Sequence, residues 1–133
     1  MHRILIVDDS ATIRKMVRAS LQSLEGAEFL EAATGLQAVE QLAVARVRLV
    51  VLDLNMPDMH GIDVLRFVRR HEQYRTLPVI LLTTRGDDAS REAAVGAGAT
   101  TYMTKPFVPQ EIAATVRTLL NGPMATLLEE PPV

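Results

Sequence analysis

The stretch Leu49-Val50-Val51-Leu52-Asp53 decides the fold. It places four apolar residues before a single carboxylate, and Leu54-Asn55-Met56-Pro57 follows. A short apolar run of this kind, bounded by polar residues and a proline, is typical of a strand buried on both faces of a parallel sheet. Asp53 would then lie at the carboxyl end of the strand, where open α/β sheets bind ligands. A solvated carboxylate at the start of a loop is the alternative for a single Asp.

Four further strand candidates surround this stretch. They cover residues 4–7, 29–32, 78–83 and 100–104. The segments between them carry apolar residues at helical spacing, most clearly in the first helix, where the inward stripe is Ile13, Met16, Val17, Ser20, Leu21 and Leu24. A polar segment from His71 to Thr76 closes the third helix. Five strands alternating with five helices predict an α/β fold with a parallel sheet and helices on both of its faces.

The composition limits the class of protein. The 133 residues suit one domain, predicted to cover residues 1–122, with a flexible tail over residues 123–133. A formal net charge of −2 gives no basic surface for a nucleic acid backbone. The sequence has no cysteine, and no apolar run approaches the ~20 residues that span a bilayer. We therefore expect a soluble, cytoplasmic protein with neither nucleic acid nor membrane as a direct partner.

Polar side chains stand at the ends of four of the predicted strands. In chain order they are Asp8, Asp9, Asp53, Thr83 and Lys105. Because the carboxyl ends of parallel strands share one edge of a sheet, these side chains can converge. Three clustered carboxylates stay ionised only beside cations, and their oxygens suit Mg²⁺. One divalent ion and one lysine balance the three negative charges, which predicts a site where a phosphoryl group meets the central carboxylate as nucleophile.

Four motifs stand in a characteristic order along the chain. They are Val7-Asp8-Asp9-Ser10, Leu52-Asp53-Leu54-Asn55-Met56-Pro57, Leu82-Thr83-Thr84 and Tyr102-Met103-Thr104-Lys105-Pro106-Phe107. Together they resemble the receiver domain of two-component response regulators, most of all its stand-alone chemotaxis type, over roughly residues 3–121. The resemblance implies a flavodoxin-like sheet with strand order 2-1-3-4-5 and a cis peptide bond before Pro106.

The same resemblance implies a role for each site residue. The phosphorylated residue would be Asp53. The Mg²⁺ site would consist of Asp8, Asp9, Asp53 and the backbone carbonyl of Asn55. The contacts to the phosphoryl oxygens would come from Thr83 and Lys105, and the switch residues would be Thr83 and Tyr102.

The function that the resemblance implies is a signalling switch and not an enzyme. A sensor histidine kinase would donate the phosphoryl group, and the chain's own chemistry would be limited to self-phosphorylation from acyl phosphates and self-dephosphorylation. A downstream protein would recognise the face formed by the fourth helix, the fifth strand and the fifth helix. The chain would act as a monomer or as a phosphorylation-dependent dimer.

Two other classes of protein combine some of these features. A phosphatase or phosphotransferase of the haloacid dehalogenase type also uses a nucleophilic Asp with Mg²⁺, but it has a second Asp two positions later. Asn55 occupies that position here and cannot exchange a proton at neutral pH, and the order of motifs also differs. A flavodoxin-like cofactor binder would place its phosphate loop where Asp8 and Asp9 would repel the phosphate.

Overall fold

The computed structural model describes residues 2–56, 58–84 and 88–121. Its strands are β1 (His2–Val7), β2 (Ala27–Ala32), β3 (Leu49–Asp53), β4 (Val79–Thr84) and β5 (Thr101–Lys105). Its helices are α1 (Ala11–Leu21), α2 (Gly35–Val44), α3 (Gly61–Arg70), α4 (Asp88–Gly96) and α5 (Pro109–Leu120), with a 3₁₀ turn at Glu72–Tyr74. The predicted tail and the predicted boundary at residue 122 lie outside the described residues. None of the described helices is both long and apolar enough to cross a membrane.

All five strands pair in parallel in one sheet, in the order β2-β1-β3-β4-β5. This confirms the α/β class and the strand order. The register pairs Val7 with Leu52, Asp53 with Leu82, and Thr84 with Lys105. The ends of β1, β3, β4 and β5 therefore lie along the same edge of the sheet, which is the edge that the sequence identifies as the candidate site.

Strand β3 is buried along its whole length because it contributes to a hydrophobic core on each face of the sheet. Val50 and Leu52 pack in the core beneath α2, α3 and α4, whereas Leu49 and Val51 pack in the core beneath α1 and α5. Alternate side chains of a strand point to opposite faces, so a continuous apolar run is what a two-sided core requires. The central position of β3 fixes Asp53 at the middle of the sheet edge.

The burial of Met16 and of Tyr74 differs from what the sequence predicts. Met16, placed in the inward stripe of α1, is 43% exposed, and Val17 and Leu21 alone provide the fully buried contacts of this helix. The segment from His71 to Thr76 is not only polar, because Tyr74 is buried and its hydroxyl group contacts the carbonyl oxygens of Leu42 and Ala45. A buried tyrosine is stable where its hydroxyl finds such acceptors.

Candidate functional site

The turn after β1 holds the first two carboxylates. Asp8 is fully buried, and its Oδ1 accepts a hydrogen bond of 2.9 Å from the backbone N–H of Ser10. The Ser10 hydroxyl then caps α1 by accepting from the N–H of Ile13 (3.2 Å). Asp9 is exposed. The cap therefore fixes where α1 starts and leaves the two carboxylates on the short turn before it.

The third carboxylate ends β3 and is almost as buried as the first. Asp53 is only 4% exposed, and its Oδ1 accepts a hydrogen bond of 3.3 Å from the backbone N–H of Asn55. The loop folds back so closely that a Cβ atom on Gly61 would lie 2.7 Å from the Asp53 carbonyl oxygen. The N–H of Gly61 instead donates to the carbonyl of Leu54 (2.8 Å). Glycine at this position thus lets α3 begin directly against the end of the strand.

Lys105, at the end of β5, joins the two buried carboxylates. Its Nζ lies 3.2 Å from Asp53 Oδ1 and 2.9 Å from Asp8 Oδ2. Burial disfavours the charged ammonium, but the two carboxylates outweigh that cost and raise the pKa of Lys105 above its usual value. The peptide bond between Lys105 and Pro106 is cis, as the sequence resemblance predicts.

The electrostatic balance of the cluster is most visible at Asp53. Burial, and then repulsion from Asp8, raise the pKa of Asp53 to about 6, although Lys105 and the Asn55 N–H act in the opposite direction. One lysine therefore does not fully compensate the negative charge. The site as it stands favours a further cation.

The donor atoms of the cluster fit Mg²⁺. Oxygen atoms from Asp8, Asp9 and Asp53 all lie within 4.8 Å of one another. Asp8 Oδ2 is buried and, although it is at ion-pair distance from Lys105, no hydrogen bond of acceptable geometry reaches it from the described residues. A buried carboxylate oxygen without a donor, beside two other carboxylates, is suited to a hard divalent cation.

Thr83 and Thr84 end β4 side by side, and the local sequence pattern does not distinguish them. The structure buries Thr83, which is 2% exposed, and exposes Thr84. The Thr83 hydroxyl donates to the backbone carbonyl of Met103 on β5, at the long distance of 3.5 Å. Thr83 therefore has a weak contact with the strand that carries Tyr102.

Tyr102 lies on the outer side of β5 and is 43% exposed. The Arg91 guanidinium of α4 stacks over its ring, 4.7 Å from the centroid, and also pairs with Asp88 at 3.2 Å. Sequence reasoning identified Tyr102 but missed Arg91. No signal in the sequence indicates that these two residues, on different elements, come into contact.

Sequence reasoning also missed the role of Asp58, which lies in the loop between β3 and α3. Its carboxylate accepts hydrogen bonds from the N–H groups of Gly35 (3.0 Å) and Leu36 (3.1 Å) at the start of α2. These bonds lower the pKa of Asp58. A helix cap supplied from a distant segment leaves no local signature in the sequence. This cap ties the loop after Asp53 to a second helix.

Comparisons with known proteins agree with this geometry. The family model described as the response regulator receiver domain matches residues 4–117. The chemotaxis protein CheY1 of Helicobacter pylori is 36% identical over 120 residues, which are 90% of this chain and 97% of that protein.

Solved structures lead to the same family. A putative response regulator from Chloroflexus aurantiacus superimposes with a TM-score of 0.84 at 35% identity, covering 90% of this chain and 98% of its own. The receiver domain of the sensor histidine kinase PA1611 from Pseudomonas aeruginosa has a magnesium ion coordinated in its active-site cleft. It gives a TM-score of 0.82 at 29% identity, covering 90% of this chain and 98% of that one. The chain thus belongs to the response regulator receiver domain family and is a phosphorylation-activated signalling regulator of the two-component type.

Proposed function

We propose that Asp53 accepts a phosphoryl group from the phosphohistidine of a sensor histidine kinase, in a Mg²⁺-dependent reaction, and that the modified chain signals by protein contact. The observation that carries this proposal is the buried Asp53 carboxylate, 3.2 Å from the Lys105 ammonium and clustered with Asp8 and Asp9. A nucleophile and its charge compensation are thereby assembled at one sheet edge. Phosphoryl transfer needs this kind of positioning and charge neutralisation.

In the proposed reaction an Oδ atom of Asp53 attacks the phosphorus atom. The new oxygen–phosphorus bond forms while the bond from phosphorus to the donor nitrogen breaks, and the electron pair of that bond leaves with the imidazole. Lys105 stays paired with Asp53 and faces the negative charge of the incoming group, to which the Thr83 hydroxyl can also donate. An acyl phosphate would react in the same way, with the carboxylate as leaving group.

The metal ligands in this proposal are Asp8, Asp9, Asp53 and the backbone carbonyl of Asn55. Mg²⁺, when bound there, would neutralise charge on the three carboxylates and on the phosphoryl oxygens. The oxygen-only donor set supports this choice of ion, as does Asp8 Oδ2, which is paired with Lys105 but receives no hydrogen bond of acceptable geometry from the described residues.

The proposed switch runs from Thr83 to the outer face of β5. A phosphoryl group on Asp53 would compete for the Thr83 hydroxyl, whose present bond to the Met103 carbonyl is long and therefore weak. Movement of Thr83 would leave space for the Tyr102 ring, which is now partly exposed and lies beneath the Arg91 guanidinium. Thr83 and Tyr102 are thus the proposed switch residues.

The proposed docking face for the downstream protein consists of α4, β5 and α5. Three of the large apolar side chains that the structure exposes lie on or next to these elements, namely Val95 (45%), Tyr102 (43%) and Val108 (46%). A change at Tyr102 would alter the centre of this face. Action as a monomer or phosphorylation-dependent dimer, and a cytoplasmic location, are part of the same proposal.

The chain would hold its phosphoryl group and not turn it over as a hydrolase does. A haloacid dehalogenase-type enzyme needs an acid–base group two positions after the nucleophile, and Asn55 stands there. Slow self-dephosphorylation by water is the remaining route by which the group would be lost.

Acetyl phosphate with Mg²⁺ tests the proposal directly. The wild type should gain the mass of one phosphoryl group, in a form labile to base and hydroxylamine, and chelation of Mg²⁺ should prevent the gain. Asp53→Asn should show no such adduct, whereas Asp63→Asn, a matched change at an exposed Asp of α3, should behave as the wild type. An undiminished adduct in Asp53→Asn would disprove the assignment.

A further inference from the structure

Arg14, in the first turns of α1, contacts the backbone of the turn that carries Asp8 and Asp9. Its Nη1 donates a 2.7 Å hydrogen bond to the carbonyl oxygen of Asp8. Its Nε donates a 2.8 Å hydrogen bond to Oε1 of Glu31 on β2, and the side chain is only 16% exposed. The guanidinium group thus bridges an edge strand and the candidate metal site.

The position of this guanidinium is fixed from the far side as well. Arg18, one turn later on α1, donates a 2.7 Å hydrogen bond to the other carboxylate oxygen of Glu31. The hydrogen bond from Arg14, followed by that from Arg18, lowers the pKa of Glu31, so this carboxylate is ionised and holds both arginines. Since both oxygens of Glu31 are engaged, this carboxylate keeps its orientation, and the planar guanidinium that it holds has little freedom to turn away from its second partner, the Asp8 carbonyl.

The carbonyl that Arg14 holds is part of the backbone that carries both carboxylates. The peptide unit between Asp8 and Asp9 is planar, so fixing the Asp8 carbonyl also fixes the N–H and Cα of Asp9. The N–H of Asp8 donates to the Ala32 carbonyl (3.1 Å), and Asp8 Oδ1 accepts from Ser10. With these groups engaged, Asp8 Oδ2 receives no hydrogen bond of acceptable geometry from the described residues and lies 2.9 Å from the Lys105 ammonium, on the side of the turn that faces the cluster.

We infer that Arg14 is a positioning residue for the Mg²⁺ site: through the Asp8 carbonyl it holds the turn from Asp8 to Ser10 so that both carboxylates face Asp53. This inference rests on the proposed function, because it assumes that the cluster binds Mg²⁺. It adds a residue that does not touch the metal or the phosphoryl group. It also makes the Glu31 carboxylate of β2 part of the support of the site.

A purely electrostatic role of Arg14 and a positioning role predict opposite changes in Mg²⁺ affinity when Arg14 is removed. If Arg14 acted only through its charge, its loss beside three carboxylates would strengthen cation binding. If it positions the turn, its loss weakens Mg²⁺ binding, since partners outside the ligand shell typically contribute about tenfold or more to metal affinity. The sign of the change therefore distinguishes the two roles.

The test is a Mg²⁺ titration of the full chain, followed by calorimetry and by the rise in melting temperature relative to each variant's own metal-free value. We expect Arg14→Ala to raise the Mg²⁺ dissociation constant about tenfold. Arg14→Lys, which keeps the charge but not the two-bond fork, should also weaken binding. The matched control is Arg3→Ala, because Arg3 makes the same kind of contact, from its Nε to the Glu28 carboxylate of β2, outside the network of Arg14 and Glu31, and it should bind Mg²⁺ as the wild type does.

The possible results separate this inference from the proposed function. A purely structural role would lower the metal-free melting temperature of Arg14→Ala and leave its Mg²⁺ dissociation constant unchanged, and this result would overturn the inference. Tighter binding by Arg14→Ala would overturn it too. In either case Mg²⁺ binding and Asp53 labelling by the wild type would leave the proposed function intact. Absence of Mg²⁺ binding by the wild type would reject both. If Arg14→Ala does not fold, Arg14→Lys decides on the same criterion.

Discussion

Two side chains of β5, those of Lys105 and Tyr102, differ sharply in how firmly their contacts are held. Lys105 points to the sheet edge and meets two buried carboxylates at 2.9 and 3.2 Å. Tyr102, three residues earlier, is 43% exposed and is covered by the guanidinium of Arg91, whose own partner Asp88 is 68% exposed. Buried ion pairs are costly to break, whereas exposed ones contribute little. Under the proposed function, the chemistry would use the rigid contact and the signalling would use the one that is easily changed.

The largest effect is expected from removing the rigid contact. Lys105→Met keeps the length of the side chain but leaves Asp8 and Asp53 without their ammonium partner. Loss of one charged donor at a reacting group typically costs a factor of about 100 in rate, so labelling of Asp53 by acetyl phosphate should fall by roughly that factor. The rate is measured by intact mass against time.

Lys15, the other lysine of the sequence, provides the control for this change. It is exposed on α1, and Lys15→Met should label at the wild-type rate. If Lys105→Met were also labelled at the wild-type rate, the contact of Lys105 with the two carboxylates would contribute nothing to the reaction.

A smaller effect, on stability, concerns the charge that Lys105 leaves uncompensated. The unfolded chain ionises Asp53 near its ordinary pKa of 3.8, whereas the folded, metal-free protein does so at a pKa of about 6. The folded state binds this proton more tightly, so the contribution of Asp53 to stability declines as the pH rises through about 6. Asp53→Asn should therefore raise the free energy of unfolding at neutral pH by roughly 1–2 kcal/mol, and by much less at about pH 4.

Urea denaturation in the presence of a chelator measures this difference at each pH. Addition of Mg²⁺ should stabilise the wild type and remove most of the advantage of Asp53→Asn. Asp63→Asn, at an exposed position, serves again as the control, and its free energy of unfolding should follow that of the wild type at each pH, with and without Mg²⁺. A wild type that is more stable at neutral pH than Asp53→Asn, without metal, would contradict the predicted charge imbalance.

The smallest effect is expected at the exposed contact. Arg91→Ala should change the free energy of unfolding by less than about 1 kcal/mol, since exposed cation–π contacts and ion pairs are weak. It should nevertheless move the ring resonances of Tyr102 towards those of a free tyrosine. The comparison variant is Arg66→Ala, which breaks an equally spaced pair with Asp63 on α3, where the structure describes no stacking on Tyr102. Unchanged Tyr102 resonances in Arg91→Ala would show that the stacking does not hold the ring.

The sequence predicted the fold well where one local pattern decides it. The run from Leu49 to Asp53 forms a strand with the bounds that the sequence predicts, because burial on both faces favours an unbroken apolar run, here of four residues, up to the carboxylate that ends it. The buried face of a helix is harder to predict, because helical spacing alone does not give the width of the buried stripe. Met16 fits the spacing of the α1 stripe but is 43% exposed. Tyr74 was missed because its carbonyl partners lie about 30 residues away.

The convergence of acidic residues was also predictable, but the residues that surround them were not. The parallel strands bring Asp8, Asp53 and Lys105 to one edge, and the order of the motifs along the chain is enough to infer this. Arg14 and Asp58 act across elements through backbone groups. Any polar residue can bond to a backbone carbonyl or N–H, so neither spacing nor residue type indicated these contacts in advance.

The placement of the two tyrosines makes the protein suitable for optical measurement without a label. The sequence has two tyrosines and no tryptophan. Tyr74 is buried in the core, and its hydroxyl group contacts the carbonyl oxygens of Leu42 and Ala45. Tyr102 is partly exposed, and the Arg91 guanidinium stacks over its ring. Ultraviolet absorbance and intrinsic emission therefore report on two tyrosines. The proposed switch would change the environment of Tyr102 and leave that of Tyr74 as it is. Tyr74 is the internal reference against which a spectral change at Tyr102 can be read.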